Sequence, residues 1–151
     1  MAEENFMDQF DSPEDFIRHQ ILSRGNFSTL DKKKMYRLIR EHNIDFTINK
    51  NGLEYTKKKD MFDALLTSLS FRDLASYVGV LRKSFCVKFD ITIDEFQTLV
   101  RDGFIHKTHS FTSVKNPYSA NPIWSKWDWY NVYDYFDLTR DIVQKALNKL
   151  D

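Results

Sequence analysis

Six times along the chain a residue with a side-chain oxygen stands just ahead of apolar residues at helical spacing, and this recurrence limits the fold more than any other feature. Ser12-Pro13-Glu14-Asp15 combines an N-cap, a proline at the first helical position and acids in the first turn, where the helix dipole favours them. Phe16, Ile17, Gln20, Ile21, Leu22 and Arg24 follow, until Gly25 offers a stop. Ser28 with Asp31 resembles a capping box, after which Met35, Leu38, Ile39 and His42 recur at i, i+3, i+4 and i+7, ending near Asn43. Thr56 precedes an apolar stripe of Met61, Phe62, Leu65, Leu66 and Leu69. Ser70 and Asp73 precede Leu74, Tyr77, Val78 and Leu81, in helical spacing until about Phe85. Thr92 with Glu95 forms the clearest capping box, followed by Phe96, Leu99 and Val100 and closed by Gly103. Asp137 caps a last run of Leu138, Ile142, Val143, Ala146, Leu147 and Leu150. The expected fold is mainly α, a compact bundle of five or six helices.

Two stretches break the helical period. Ile44, Phe46 and Ile48 alternate with Asp45 and Thr47, and Asn51-Gly52 is a favoured turn pair before Leu53-Glu54-Tyr55, so a small β-hairpin is expected there. Residues 104–136 scatter aromatics among Ser, Thr, Asn and two prolines, which predicts an irregular or short-stranded segment, with strands over Phe111 to Val114 and Tyr130 to Tyr135. Cys86-Val87-Lys88-Phe89 reads as a helix end or a strand.

Thirteen Phe, seven Tyr and three Trp against four Gly and three Pro argue for dense packing in one domain over 1–151, with residues 1–11 a flexible acidic start. A lone cysteine, Cys86, excludes an internal disulfide, and no basic-then-apolar leader opens the chain, so a cytoplasmic location is expected. Charged residues interrupt every apolar run, which argues against a membrane span. Charge is unevenly spread: residues 1–16 hold six acids and no base, residues 17–88 carry a balance of +8, and residues 89–151 one of −2. A basic middle can face phosphates, and it can equally be a solvated helical surface.

Candidate catalytic groups lack partners. His106 and His109 stand at i, i+3 with nothing nearby to complete a metal set. Cys86 has no local His, and Asp134, Asp137 and Asp141 have the spacing of any acidic helix start. No phosphate-cradling glycine loop and no Gly-x-Ser-x-Gly elbow occurs. The expectation is a protein that is not an enzyme, with no cofactor and no metal.

The stretch from Phe71 to Phe85 carries a pattern of its own. Leu74, Ala75, Val78, Gly79, Val80 and Phe85 supply, in order, an apolar residue, a small residue for close helix contact, and a glycine turn between apolar positions. This resembles the core of helix-turn-helix DNA-binding proteins over residues 71–89, with Leu81 where a polar cap is usual. The resemblance implies a recognition helix from Leu81 onward, with Arg82, Lys83, Ser84 and Lys88 toward phosphates or base edges of duplex DNA. Lys57, Lys58 and Lys59 in the third helix, and Lys33 and Arg37 on the second, would add basic support. Residues 35–39 with 56–66 also look like a SAP-type DNA-binding module, though the link between the two helices is longer than in that family. The alternative reading of 71–85 is a continuous core helix that tolerates Gly79.

Seven aromatic rings lie between Trp124 and Phe136. Trp124, Trp127, Trp129 and Tyr130 could bind a protein partner, stack on unpaired bases, or close the core. Two functional classes follow: a DNA-binding regulator or accessory protein in the style of phage or plasmid proteins, and an interaction or inhibitor protein acting through residues 124–136 and the acidic start. Either is compatible with a homodimer.

Overall fold

A computed structural model describes residues 6–23, 28–115 and 118–148. Among them the chain forms eight α-helices and one two-stranded antiparallel sheet. A 3-10 turn over Phe6–Gln9 seats Met7 in the core, so the acidic start, expected to be loose as far as residue 11, is packed from that turn onward. Helix α1 (Pro13–Leu22) starts as its residues require, with Ser12 Oγ accepting from Asp15 N–H at 3.1 Å. The expected stop at Gly25, with Arg24, lies outside the described residues.

Helix α2 (Lys32–Glu41) is capped by Asp31, which accepts from Lys34 N–H at 2.9 Å. Ser28, expected to be the cap, instead accepts from Leu30 N–H in the approach to the helix. Residues 44–49 show the expected alternation, with Ile44, Phe46 and Ile48 half-buried between exposed neighbours, yet no strand pairs with them. Periodicity reports which side of an extended segment faces the core; it says nothing of a ladder partner. The second strand is missing because Leu53–Tyr55 winds into a 3-10 turn. Gly52, at φ +118°, accepts the tight turn that Asn49 closes, and Thr56 Oγ1 accepts from Asn49 N–H rather than capping a helix. Helix α3 (Lys58–Leu65) therefore opens on Lys57 without a side-chain cap and lays Met61, Phe62 and Leu65 into the core.

The run from Ser70 to Phe85 is not one helix. Its capping box launches only α4 (Phe71–Leu74) and a 3-10 turn over Ala75–Tyr77. The chain then extends through Val78, Gly79 and Val80 before α5 (Arg82–Phe89). Asp90, left-handed at φ 52°, turns the chain into α6 (Ile93–Arg101), whose Thr92–Glu95 capping box closes reciprocally.

Strands β1 (Lys107–Lys115) and β2 (Ile123–Tyr130) form a hairpin where an irregular segment with short strands is expected, with Ser110 opposite Asp128 and Val114 opposite Trp124. Helix α7 (Val132–Asp137) occupies most of the stretch where a strand over Tyr130 to Tyr135 is expected, because Asn131 Oδ1 accepts from Tyr133 N–H and starts a helical turn. Asp137 ends that helix, and Thr139 caps α8 (Arg140–Ala146). The helix number rises from the expected five or six to eight among the described residues, chiefly through the split at Gly79 and the insertion of α7.

The core runs from Met7 to Val143 as one cluster. Its aromatic centre is Phe85, whose ring lies 5.7 Å from Phe96, 6.2 Å from Tyr130 and 5.3 Å from Tyr135, the last two edge-on. At its edge, Tyr133 joins α1, α4 and α7: its hydroxyl is 3.4 Å from Glu14 Oε1 and the Arg72 guanidinium lies 4.1 Å over its ring. Burial, then the Glu14 carboxylate, push the Tyr133 phenol up to about 12. An unfolded tyrosine ionises near ~10, so between ~10 and ~12 the folded chain holds a proton that the unfolded chain has lost. Folding stability is therefore expected to fall as pH rises through that interval and to be unaffected by Tyr133 below it. Urea unfolding at the two ends of the interval should show a smaller decline in Tyr133→Phe; an identical decline would exclude this tyrosine as the cause.

Candidate nucleic-acid interface

Two adjacent helices joined by a short turn lie one helix later than the pair the resemblance implies. Helices α5 and α6 pack together and are joined by three residues, Asp90 to Thr92. Phe85 and Phe89 anchor α5, and Phe96 and Leu99 anchor α6. The solvent side of α6 exposes Ile93, Asp94, Gln97 and Arg101. Composition hides this face, since it is not basic; the signal that could have found it is the Thr92–Glu95 box directly after a helical run.

Gly79 does not make the turn the resemblance assigns to it. Its φ is not left-handed, and it sits between the bridged residues Val78 and Val80. Val80 exchanges both backbone hydrogen bonds with Tyr130, at 3.0 and 2.9 Å, which ties this segment to the end of β2. The glycine is needed because the Trp129 side chain fills the space where a Cβ would stand.

That pairing roots the hairpin in the helical body. Trp129 is buried against Gly79, and Tyr130, which points to the opposite face, is buried against Phe85 and Phe96. Both residues, for which partner contact and core were open alternatives, are core. Farther out, Trp127 is 44% exposed, Trp124 66% and Tyr118, near the tip, 98%. The aromatic segment is thus core at one end and solvent-facing at the other.

Between the start of α5 and the inner half of β2 runs a groove of about 310 Å³, lined by Leu81, Arg82, Lys83, Lys126, Trp127, Asp128 and Tyr130. It joins the two regions that stand apart in the sequence. Arg82 and Lys83 are exposed, Ser84 half-buried, and the apolar cap Leu81 makes no side-chain hydrogen bond to the first turn of α5. Such a helix start favours negative charge, and here two cations of the helix and one of the strand adjoin it. Arg82 is close enough to Tyr130 and to Cys86 to favour the ionised form of each, although burial outweighs it and raises both. Cys86 Sγ in turn reaches the Thr92 carbonyl at 4.0 Å, so the groove side of α5 adjoins the start of α6.

The other cations do not converge on this groove. Lys88 turns inward, donating to the Tyr135 carbonyl oxygen with its ammonium 4.3 Å over the Tyr135 ring; burial lowers its pKa, partly offset by Asp8 and Asp137. Lys33 and Arg37 line a separate open groove of about 500 Å³ on α2, where Arg40 stacks over Tyr36. Lys57 and Lys59 are exposed at the start of α3, while Lys58 is half-buried near Asp31, its pKa lowered chiefly by burial. The SAP-type likeness therefore joins α2 and α3 through an extended segment and a 3-10 turn.

His106 is paired with Asp134, whose Oδ2 lies 3.0 Å from Nδ1 and accepts from the His106 backbone N–H at 2.8 Å. No group of three metal-ligating side chains occurs among the described residues, and no described helix is long and apolar enough to cross a membrane. Comparison with models of known families, with characterised proteins and with solved structures finds no match for this chain.

Proposed function

We propose that the chain is a small, non-enzymatic DNA-binding protein that holds duplex DNA between α6 and the hairpin, with phosphates at the start of α5. The observation that carries this reading is the convergence of Arg82, Lys83 and Lys126 on one groove beside the α5–α6 pair. In helix-turn-helix recognition the second helix presents its first turns to base edges while neighbouring elements hold the backbone. Gln97 and Arg101 on the exposed side of α6 have the chemistry for adenine and guanine edges, and the three cations have that for phosphates. An accessory or regulatory role, with α6 selecting the site, is part of this reading.

The test is duplex binding measured by fluorescence anisotropy across a salt series. Three phosphate contacts predict a slope of log affinity against log salt of about −3. The double variant Arg82→Ala/Lys83→Ala should bind every duplex more weakly and flatten the slope by about 2, whereas Gln97→Ala should cost about 1–3 kcal/mol on the selected site alone. Salt-independent binding, or binding unchanged in the double variant, overturns the reading.

A second reading, capture of a protein partner, is favoured by the exposed Trp124 and Tyr118 on the outer hairpin. It predicts that Trp124→Ala releases a co-purifying protein while DNA binding and unfolding midpoint stay unchanged.

A further inference from the structure

The groove at the start of α5 holds more than phosphate binding requires. Lys126 and Asp128 stand on one face of β2 and Trp127 on the other, so the groove follows the open edge of the strand, where both faces can be reached. Among the described residues that edge is paired only at Tyr130, with Val80. Arg82 and Lys126 make the groove positive, Trp127, 44% exposed, gives it an aromatic wall, and Asp128 adds a carboxylate.

A duplex backbone accounts for the cations alone. It repels a carboxylate, and it gives an indole nothing to stack on, because each base of a double helix is covered on both faces by its neighbours. An unpaired nucleotide answers all three features: its phosphate pairs with Arg82 and Lys126, its base lies on the Trp127 ring, and its N–H groups donate to Asp128. Asp128 accepts from Ser110 Oγ through Oδ1, and a carboxylate has capacity for further donors. Size agrees, since about 310 Å³ is at the small end of ligand pockets, room for one nucleotide and far too little for a double helix. We infer that this groove holds an unpaired nucleotide stacked on Trp127, so that the preferred ligand is duplex DNA with a single-stranded end rather than a continuous duplex. The inference rests on the duplex-binding reading and adds what lies beyond the last base pair.

The test measures binding of the full chain by fluorescence anisotropy to a blunt duplex and to the same duplex carrying a short cytidine overhang on one strand or the other. Each overhang is prepared also in abasic form, which keeps the phosphates and removes the bases. At least one intact overhang should bind at least about fivefold more tightly than its abasic counterpart, the size expected for one stacked base. In Trp127→Ala that ratio should fall to about one, whereas Trp127→Phe, which keeps a ring to stack on, should retain most of it. Equal binding of intact and abasic overhangs, or a ratio unchanged in Trp127→Ala, overturns the inference and leaves the duplex reading standing. Failure of the blunt duplex and both overhangs to bind overturns the two together. The abasic comparison uses the unaltered chain, so it decides the question even where Trp127→Ala does not fold.

Discussion

Gly79→Ala is expected to lower folding stability by about 3 kcal/mol or more, a large part of the total available to a domain of this size. A Cβ at this position would stand 2.2 Å from Trp129 Cβ, 2.5 Å from Cγ and 2.7 Å from Cδ2. Carbon atoms in contact settle at about 3.5–4.0 Å, so one backbone must move by more than an ångström or the pair must open. Neither is easy: Val80 and Tyr130, the neighbours of the two clashing residues, exchange both backbone hydrogen bonds, and Trp129 is 3% exposed. Because the closest atom is Trp129 Cβ, Trp129→Ala should not relieve the clash in a double variant, whereas Trp129→Gly should relieve it in part. Urea unfolding followed by circular dichroism measures the loss. A cost below about 1 kcal/mol, the ordinary range for a tolerated substitution, would show that Val78–Val80 and β2 do not lie this close.

Phe85→Ala should cost about 3–5 kcal/mol, the range for removing a fully buried aromatic ring. Phe85 has no exposed surface and touches rings from α5, α6, β2 and α7, so its loss leaves a cavity that no single neighbour can fill. The four ring contacts add to the transfer term, although their energies do not sum independently. The near-ultraviolet circular dichroism of Tyr130 and Tyr135 should weaken with the unfolding midpoint. A midpoint shift equal to that of an exposed variant such as Lys83→Ala would remove Phe85 from the centre of the core. Phe85 stands three residues after Arg82, so this variant should also blur the groove, which separates it from Arg82→Ala/Lys83→Ala, expected to change binding without changing the fold.

Much of the helical architecture is legible in the chain because its causes are local. The caps of α1 and α6 are contacts between residues three apart, and the apolar spacing of α2, α3 and α8 is written within each helix. Where two local signals compete, the reading slips by a few residues, as with Ser28 against Asp31 and Asp137 against Thr139. The hairpin at Asn51-Gly52 was misplaced for a different reason: a turn pair and an alternating run suggest a strand, but a ladder needs a second strand, and Leu53–Tyr55 coils instead. The candidate site was legible only in part. Arg82 and Lys83 stand out as bases at a helix start, yet Lys88, six residues beyond Arg82, is drawn to a carbonyl 47 positions away in the chain.

By itself the sequence determines that this protein is mainly helical with a small β addition, and where several of its helices begin, since capping and apolar period act within a few residues. Only the tertiary structure decides that the run from Ser70 to Phe85 divides at Gly79, that Trp129 and Tyr130 are core while Trp124 is not, and that Lys126 joins Arg82 and Lys83 in one groove. Those outcomes depend on the pairing of Val80 with Tyr130, 50 residues apart, whose hydrogen bonds and close backbone contact leave no mark on either segment alone.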